Sequence, residues 1–317
     1  MPKVSVIIPV YGVEKYIERC ARSLFEQTFD DIEYLFIDDC TPDKSIEILK
    51  NVLEEYPQRK NQVIIHRMEK NSGQAAVRKW GMLNATGDYI IHCDSDDWVE
   101  KSIYERLYNE SVRKNADIVF CDYYICEESK PNRIFKKNPN IANKHEILKQ
   151  LLLSSDLNPL WSALIKKRTI SNIKYPQSAQ GEDKAIMLQQ CFYAYKFSYI
   201  EEPLYFYRIS PGSICNTFEK NRLISRFQQT IDNVNIIINF AGEHNMTQDY
   251  KKELDACMFH ARHLLENIKF DKECSKLWLN SYPKINGRIL FNDYIKFRDK
   301  IRFICYYILF KFNSYML

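Results

Sequence analysis

The chain has 317 residues, 45% of them hydrophobic and 27% charged. That composition describes a globular protein of one large domain, or one domain with a smaller appendage. Its net charge of +4, from 45 basic and 41 acidic side chains, is too weak to signal a nucleic-acid partner. The ten cysteines form no C-x-x-C pair and no metal-ligand spacing, which argues against a disulfide framework and fits free thiols in a reducing compartment.

In chain order, residues 4–10 are a continuous β-branched run and predict a buried strand. The chain enters it at once, without a signal peptide, which implies a cytoplasmic protein. Residues 13–29 have helical periodicity, with Tyr16, Ile17, Cys20, Leu24 and Phe25 as the apolar stripe. A strand over 34–37 ends in Asp38-Asp39, and a helix over 43–56 stops before Pro57. A third strand, 63–66, and a third helix, 74–85, precede a fourth strand, 89–93. This alternation implies βαβ units and a largely parallel sheet. After a strand over 118–121, residues 130–143 read as a loop or short hairpin and 147–153 as a helix. A helix begins at Gly181 and runs to about Tyr195. Short strands follow over 197–200 and 204–207, and the chain is mainly helical from Glu219.

The fourth strand delivers Asp94-Ser95-Asp96-Asp97. Carboxylates at the end of a buried strand are costly unless a cation neutralises them. Mg²⁺ or Mn²⁺ fits, since both take oxygen ligands and bridge to substrate phosphates. An acidic turn capping the next helix through Asp96 or Asp97 is the plainer alternative. Three strand ends carry notable residues: Pro9 and Tyr11, Asp38 and Asp39, then Asp94 and Asp96. Ligands in parallel sheets bind at that edge, so the convergence favours a site.

At this point the residues resemble family 2 glycosyltransferases of the bacterial surface-polysaccharide type. The opening V-S-V-I-I-P-V-Y matches that family's first strand. Residues 36–43 match its V-D-D-G-S-x-D segment, with Cys40 in place of glycine. Residues 71–81 match N-x-G-x-x-x-A-R-N-x-G, with Val77 and Lys79 as departures. Asp94-Ser95-Asp96 matches the D-x-D motif and Glu182-Asp183 the later E-D motif. Tyr207-Arg208 followed by Ser213-Ile214 resembles the end of the catalytic domain.

The resemblance implies an α/β GT-A fold, Rossmann-like, with a mostly parallel central sheet flanked by helices and a mainly helical C-terminal extension. The catalytic domain would cover 1–216, with a nucleotide-sugar half to about 122 and an acceptor half over 123–216; the helical region would cover 217–317. The implied activity is a metal-dependent, inverting hexosyl or N-acetylhexosaminyl transfer. The donor would be a UDP-sugar and the acceptor a saccharide or lipid-linked saccharide. Pro9 and Tyr11 would pack the base, and Asp39 would accept the uracil N–H. Arg78 would help hold that aspartate or the phosphates, unless it is a solvent-facing helix residue. Gly73 and Gly81 would allow close backbone packing.

Asp94 and Ser95 would lie on the nucleotide side, and Asp96 would ligate Mn²⁺ or Mg²⁺. Asp183 would be the general base. Glu182 would face the acceptor, and Trp161 would floor the acceptor sugar or lie in the core. Arg208 would neutralise the diphosphate.

Residues 296–317 mix cations with aromatics and are too short and charged to span a bilayer. They read as a helix on an anionic membrane surface, at the cytoplasmic face, or as one packed on the catalytic domain or in a homodimer. Two other functions compete. A sugar nucleotidyltransferase would need a glycine-rich basic loop after the first strand, where Val10-Tyr11-Gly12-Val13-Glu14 stands instead. An inactive GT-A scaffold would not need both Asp96 and Asp183.

Overall fold

The computed structural model describes residues 1–127, 130–137, 139–209, 219–268 and 271–316. Strand and helix alternate through β1 (Val4–Val10), α1 (Ile17–Phe25), β2 (Ile32–Asp38), α2 (Ser45–Glu54), β3 (Val63–Arg67), α3 (Gln74–Asn84) and β4 (Tyr89–His92). Next come β5 (Trp98–Val99), α4 (Ile103–Lys114), β6 (Ile118–Glu127), β7 (Arg133–Phe135), α5 (Lys144–Leu153), β8 (Ala163–Lys166), α6 (Glu182–Tyr193) and β9 (Phe197–Ile209). The last part holds α7 (Lys220–Glu243), α8 (Lys251–His260), α9 (Lys272–Asn280), α10 (Asn286–Ile289) and α11 (Phe297–Met316).

The nine strands among the described residues form one sheet in the order β3-β2-β1-β4-β8-β6-β9-β5, with β7 on β6. The first four strands are parallel, in register from Val4 opposite Ile32 and Tyr89. β8 runs antiparallel to both β4 and β6, β9 is parallel to β6, and β5 is antiparallel to β9. The sheet is therefore mixed, not mostly parallel. The reversal comes from the later strands, which the sequence pattern left irregular.

Side chains alternate between the two faces. Val4, Val6, Ile8 and Val10 pack with α1, α2 and α4; Ile7, Leu35 and Ile37 pack with α3, α5 and α6. A third apolar cluster, around Trp278, Phe303 and Phe310, belongs to the C-terminal helices.

Three local differences from the sequence reading have physical causes. α1 starts at Ile17, not 13: residues 13–16 form a separate turn, closed by the Tyr16 (2.8 Å) and Ile17 (2.9 Å) N–H groups on the Val13 carbonyl and tied to the neighbouring loop through the Val13 and Glu14 N–H groups. The strands expected over 197–200 and 204–207 are one strand; register shifts on either side of the Asp122–Pro203 pair absorb Glu201, Glu202 and Leu204. Asp122 is buried inside β6, accepting from the Lys137 N–H (2.8 Å) and the Tyr199 hydroxyl. The half-domain boundary at about 122 therefore falls within a strand. The boundary at 216 and the Ser213-Ile214 motif lie outside the described residues.

Gly81 supplies the close approach that seats α3 on the sheet: a Cβ there would stand 2.4 Å from Ile7 Cγ2. Gly73 has open space, and its requirement is the positive φ of 82° that turns the chain into α3.

Candidate active site

The strand order reverses direction between β1 and β4, so the carboxyl ends of these strands frame a crevice. Ser95 Oγ bridges it by donating to the Pro9 carbonyl at 2.6 Å. Tyr11 stands at the end of β1, half exposed. The Gly12, Val13 and Glu14 N–H groups all donate to side chains of the neighbouring loop, Thr41, Ser45 and Asp43. They make no phosphate cradle of the kind a nucleotidyltransferase would need.

At the end of β2 both carboxylates are buried and serve the backbone. Asp38 accepts from the Thr41 N–H (2.7 Å) and from Arg67 (2.9 Å), which fixes the loop. Asp39 accepts from the Ser72 (2.7 Å) and Gly73 (2.9 Å) N–H groups, which pins the entry to α3. Between this pair and Thr41, Cys40 has φ of 56°, a conformation that suits glycine.

β4 ends at His92, so Asp94 and Asp96 line one turn, closed by the Asp97 N–H on the Asp94 carbonyl (3.1 Å). Asp97 is not a helix cap. It is buried, accepting from the Tyr205 hydroxyl (2.7 Å) and the Arg208 N–H (2.7 Å) of β9. Burial, with Asp96 and Asp94 nearby, raises its pKa well above the carboxylate range. Asp96 is more open, and burial followed by the Asp94 charge raises it too, with Arg208 opposing. Arg208 reaches the Asp96 carboxylate at 3.4 Å while its guanidinium lies 3.5 Å over the Tyr16 ring.

Arg78 is the centre of the site. It is fully buried on α3, and its guanidinium pairs with Asp94 (2.8 Å), Glu182 (2.6 Å) and Asp183. It is neither solvent-facing nor bound to Asp39. Burial alone would lower its pKa, but the three carboxylates hold it well above the ordinary value. Three carboxylates on one cation leave excess negative charge in a low-dielectric place. Burial pushes Glu182 up to about 8, with Asp183 and Asp94 adding to the rise and Arg78 opposing it. Asp183 is also raised, first by burial and then by Asp94. It keeps about a third of its side chain exposed. A carboxylate that is raised and open to the cleft is a competent proton acceptor.

One expected acceptor contact is corrected, and one open alternative is decided. Glu182 does not face an acceptor: it is 2% exposed and turned inward to Arg78, because the left-handed Gly181 starts α6 with its first side chain over the guanidinium. Trp161 is a core residue. Its indole stacks on Tyr205 (4.2 Å between centroids) and Tyr207 (5.4 Å). It braces Tyr205, whose hydroxyl receives the Asp94 N–H (3.0 Å) while donating to Asp97. Tyr205 and Tyr16 were missed, since a tyrosine inside a strand or helix stripe reads as packing.

The chain belongs to glycosyl transferase family 2: that family's model matches residues 5–188. It is 29% identical over 249 residues to the glycosyltransferase GlyA of Streptococcus pneumoniae, covering 75% of this chain but 35% of GlyA. The chain thus spans about a third of that relative. Among solved structures, residues 1–349 of Staphylococcus aureus TarS in complex with UDP-GlcNAc superpose with a TM-score of 0.61 at 15% identity, covering 99% of this chain and 93% of that one. The mannosyltransferase PcManGT of Pyrobaculum calidifontis, in complex with GDP-Man and Mn²⁺, has a TM-score of 0.56 at 13% identity over 99% and 87%. The fold is therefore GT-A.

Proposed function

We propose that the protein is an inverting glycosyltransferase of surface-polysaccharide synthesis. It moves a hexosyl or N-acetylhexosaminyl group from a UDP-sugar to a hydroxyl of a saccharide or lipid-linked saccharide, at the cytoplasmic face of the membrane. The observation that carries this reading is the Arg78 cluster. Arg78 joins Asp183 to Asp94 of the D-x-D turn at the switch point of the sheet, and that proximity supports reading Asp183 as the proton acceptor. The UDP-GlcNAc complex of TarS supports the choice of donor.

Tyr11 and Pro9 take the base side, with Asp39 beneath them; its two oxygens retain lone pairs beyond the Ser72 and Gly73 bonds. Asp183 accepts the proton of the acceptor hydroxyl as its oxygen bonds to the anomeric carbon. The bond to the diphosphate oxygen breaks on the opposite face, and the nucleoside diphosphate leaves. Arg208 lies by the leaving group and offers charge to it.

The residues fit a divalent cation. Asp94 and Asp96 put hard carboxylate oxygens on one turn, each side chain partly open to solvent, which is the donor chemistry such an ion takes. Among the described residues no group of three or more acidic, histidine or cysteine side chains forms a metal cluster. An ion here would be held by one or two carboxylates and completed by substrate phosphates. Asp96, with Asp94 beside it, would hold Mg²⁺ or Mn²⁺, which supplies charge for the departing diphosphate.

The test is nucleotide release from a panel of UDP-, GDP- and CMP-sugars with Mn²⁺ or Mg²⁺, run beside Asp96→Ala and Asp183→Ala. Metal-dependent release from a UDP-sugar, lost in both variants, is expected. No binding of any nucleotide sugar with metal present would sink the reading.

A further inference from the structure

α11 covers 20 residues, about 30 Å of helix. One face is spent on the C-terminal core, where Phe303 and Phe310 pack on Trp278. The other face carries Phe297, Ile301, Ile304, Ile308 and Phe312, each between 41% and 78% exposed. Their spacing of four, three, four and four residues puts them on one stripe at about 100° per residue. An exposed apolar stripe of this length marks a contact surface.

Charge borders the stripe. The same helical geometry places Lys300 and Lys311 along one edge and Arg298 along the other. Arg302 turns away to pair with Glu266. The helix has a single carboxylate, Asp299, and it is buried.

We propose that this face is a bilayer-contact surface. α11 lies in the plane of an anionic membrane, its five apolar side chains at the boundary between headgroups and acyl chains. Arg298, Lys300 and Lys311 meet the headgroups. The charges choose this occupant over a second copy of the chain. A twofold contact through the same face would set cations against cations, and α11 has no exposed carboxylate to offset them. No helix among the described residues is long and apolar enough to cross a membrane, so α11 rests on the surface. The inference stands apart from the transfer reaction, and its test does not use activity.

The test is flotation of the full chain with vesicles of phosphatidylcholine alone, or with about one third phosphatidylglycerol. Two double variants run beside it, Ile304→Glu with Ile308→Glu, and Lys300→Glu with Lys311→Glu. Thermal melting reports folding and sedimentation reports mass. Flotation only with anionic vesicles is expected, weakened by salt and reduced about tenfold or more in each variant, with melting unchanged. Lys311 is exposed, Lys300 is half-buried and neither belongs to the apolar core of the C-terminal helices, so this pair remains informative if the isoleucine pair lowers the melting temperature. Failure to float with phosphatidylglycerol, or flotation indifferent to both variants, overturns the proposal. So does a dimer that the isoleucine variant dissociates, which would give the face to a second copy.

Discussion

Two rows of acids end strands that flank β1, and the protein treats them in opposite ways. At the end of β2, Asp38 and Asp39 are buried and accept from backbone N–H groups of Thr41, Ser72 and Gly73. At the end of β4, Asp94, Asp96 and Asp97 crowd one turn. Burial and mutual repulsion raise the last two, and a single arginine from α3 answers the first. The first row closes loops; the second is left with carboxylates that backbone N–H groups do not fully answer. Position at the sheet edge does not separate them, but the identity of the donors does.

The largest test of that contrast is Arg78→Met. It strips the cation from three carboxylates, one of them fully buried, and should cost about 3–5 kcal/mol in urea denaturation while abolishing donor turnover. A loss below about 1 kcal/mol would mean the cluster behaves like a surface pair. Next, Asp39→Asn turns an acceptor into a donor facing a backbone N–H, and should cost about 1–3 kcal/mol. Asp96→Asn should leave stability within about 0.5 kcal/mol of the parent and cut metal-dependent turnover by about 100-fold or more. Equal stability losses in the two variants would erase the distinction between the rows.

A smaller effect is expected at acid pH. Burial would raise Asp43, but hydrogen bonds from Ser45, Thr41 and the Glu14 N–H outweigh it and hold the group at about 2. A depressed carboxylate stabilises the fold above its unfolded pKa, and that contribution is lost as pH falls through the folded value. Acid titration of the parent should therefore show about 1–2 kcal/mol of loss from roughly pH 4 to 2 that Asp43→Asn does not show. The smallest effect is Cys40→Gly. Relief of the left-handed strain, less the added entropy of the unfolded chain, should raise stability by about 0.5 kcal/mol.

The first four strands, their helices and the acidic turn were legible because each is a local pattern. α4 was not read from the sequence, although Ile103, Tyr104, Leu107 and Ser111 mark its buried face. The mixed sheet was illegible, since β8 inserts between β4 and β6 from far along the chain. The same holds for the site. Arg78 and Asp183 were each found by motif, but their contact spans 105 residues and no local rule joins them. Glu182 was misplaced, and Trp161 was left between acceptor floor and core, because a motif names a residue without saying which way it turns.

That long-range contact also sets a schedule for synthesis. Arg78 is made 104 residues before Glu182. At roughly 5–20 residues per second, the ribosome takes on the order of 5–20 s to deliver its partners. Until then the growing polypeptide holds an incompletely neutralised guanidinium where the finished protein has none exposed. The amino-terminal strands can pair among themselves meanwhile, but the Arg78 corner is complete only once α6 has emerged.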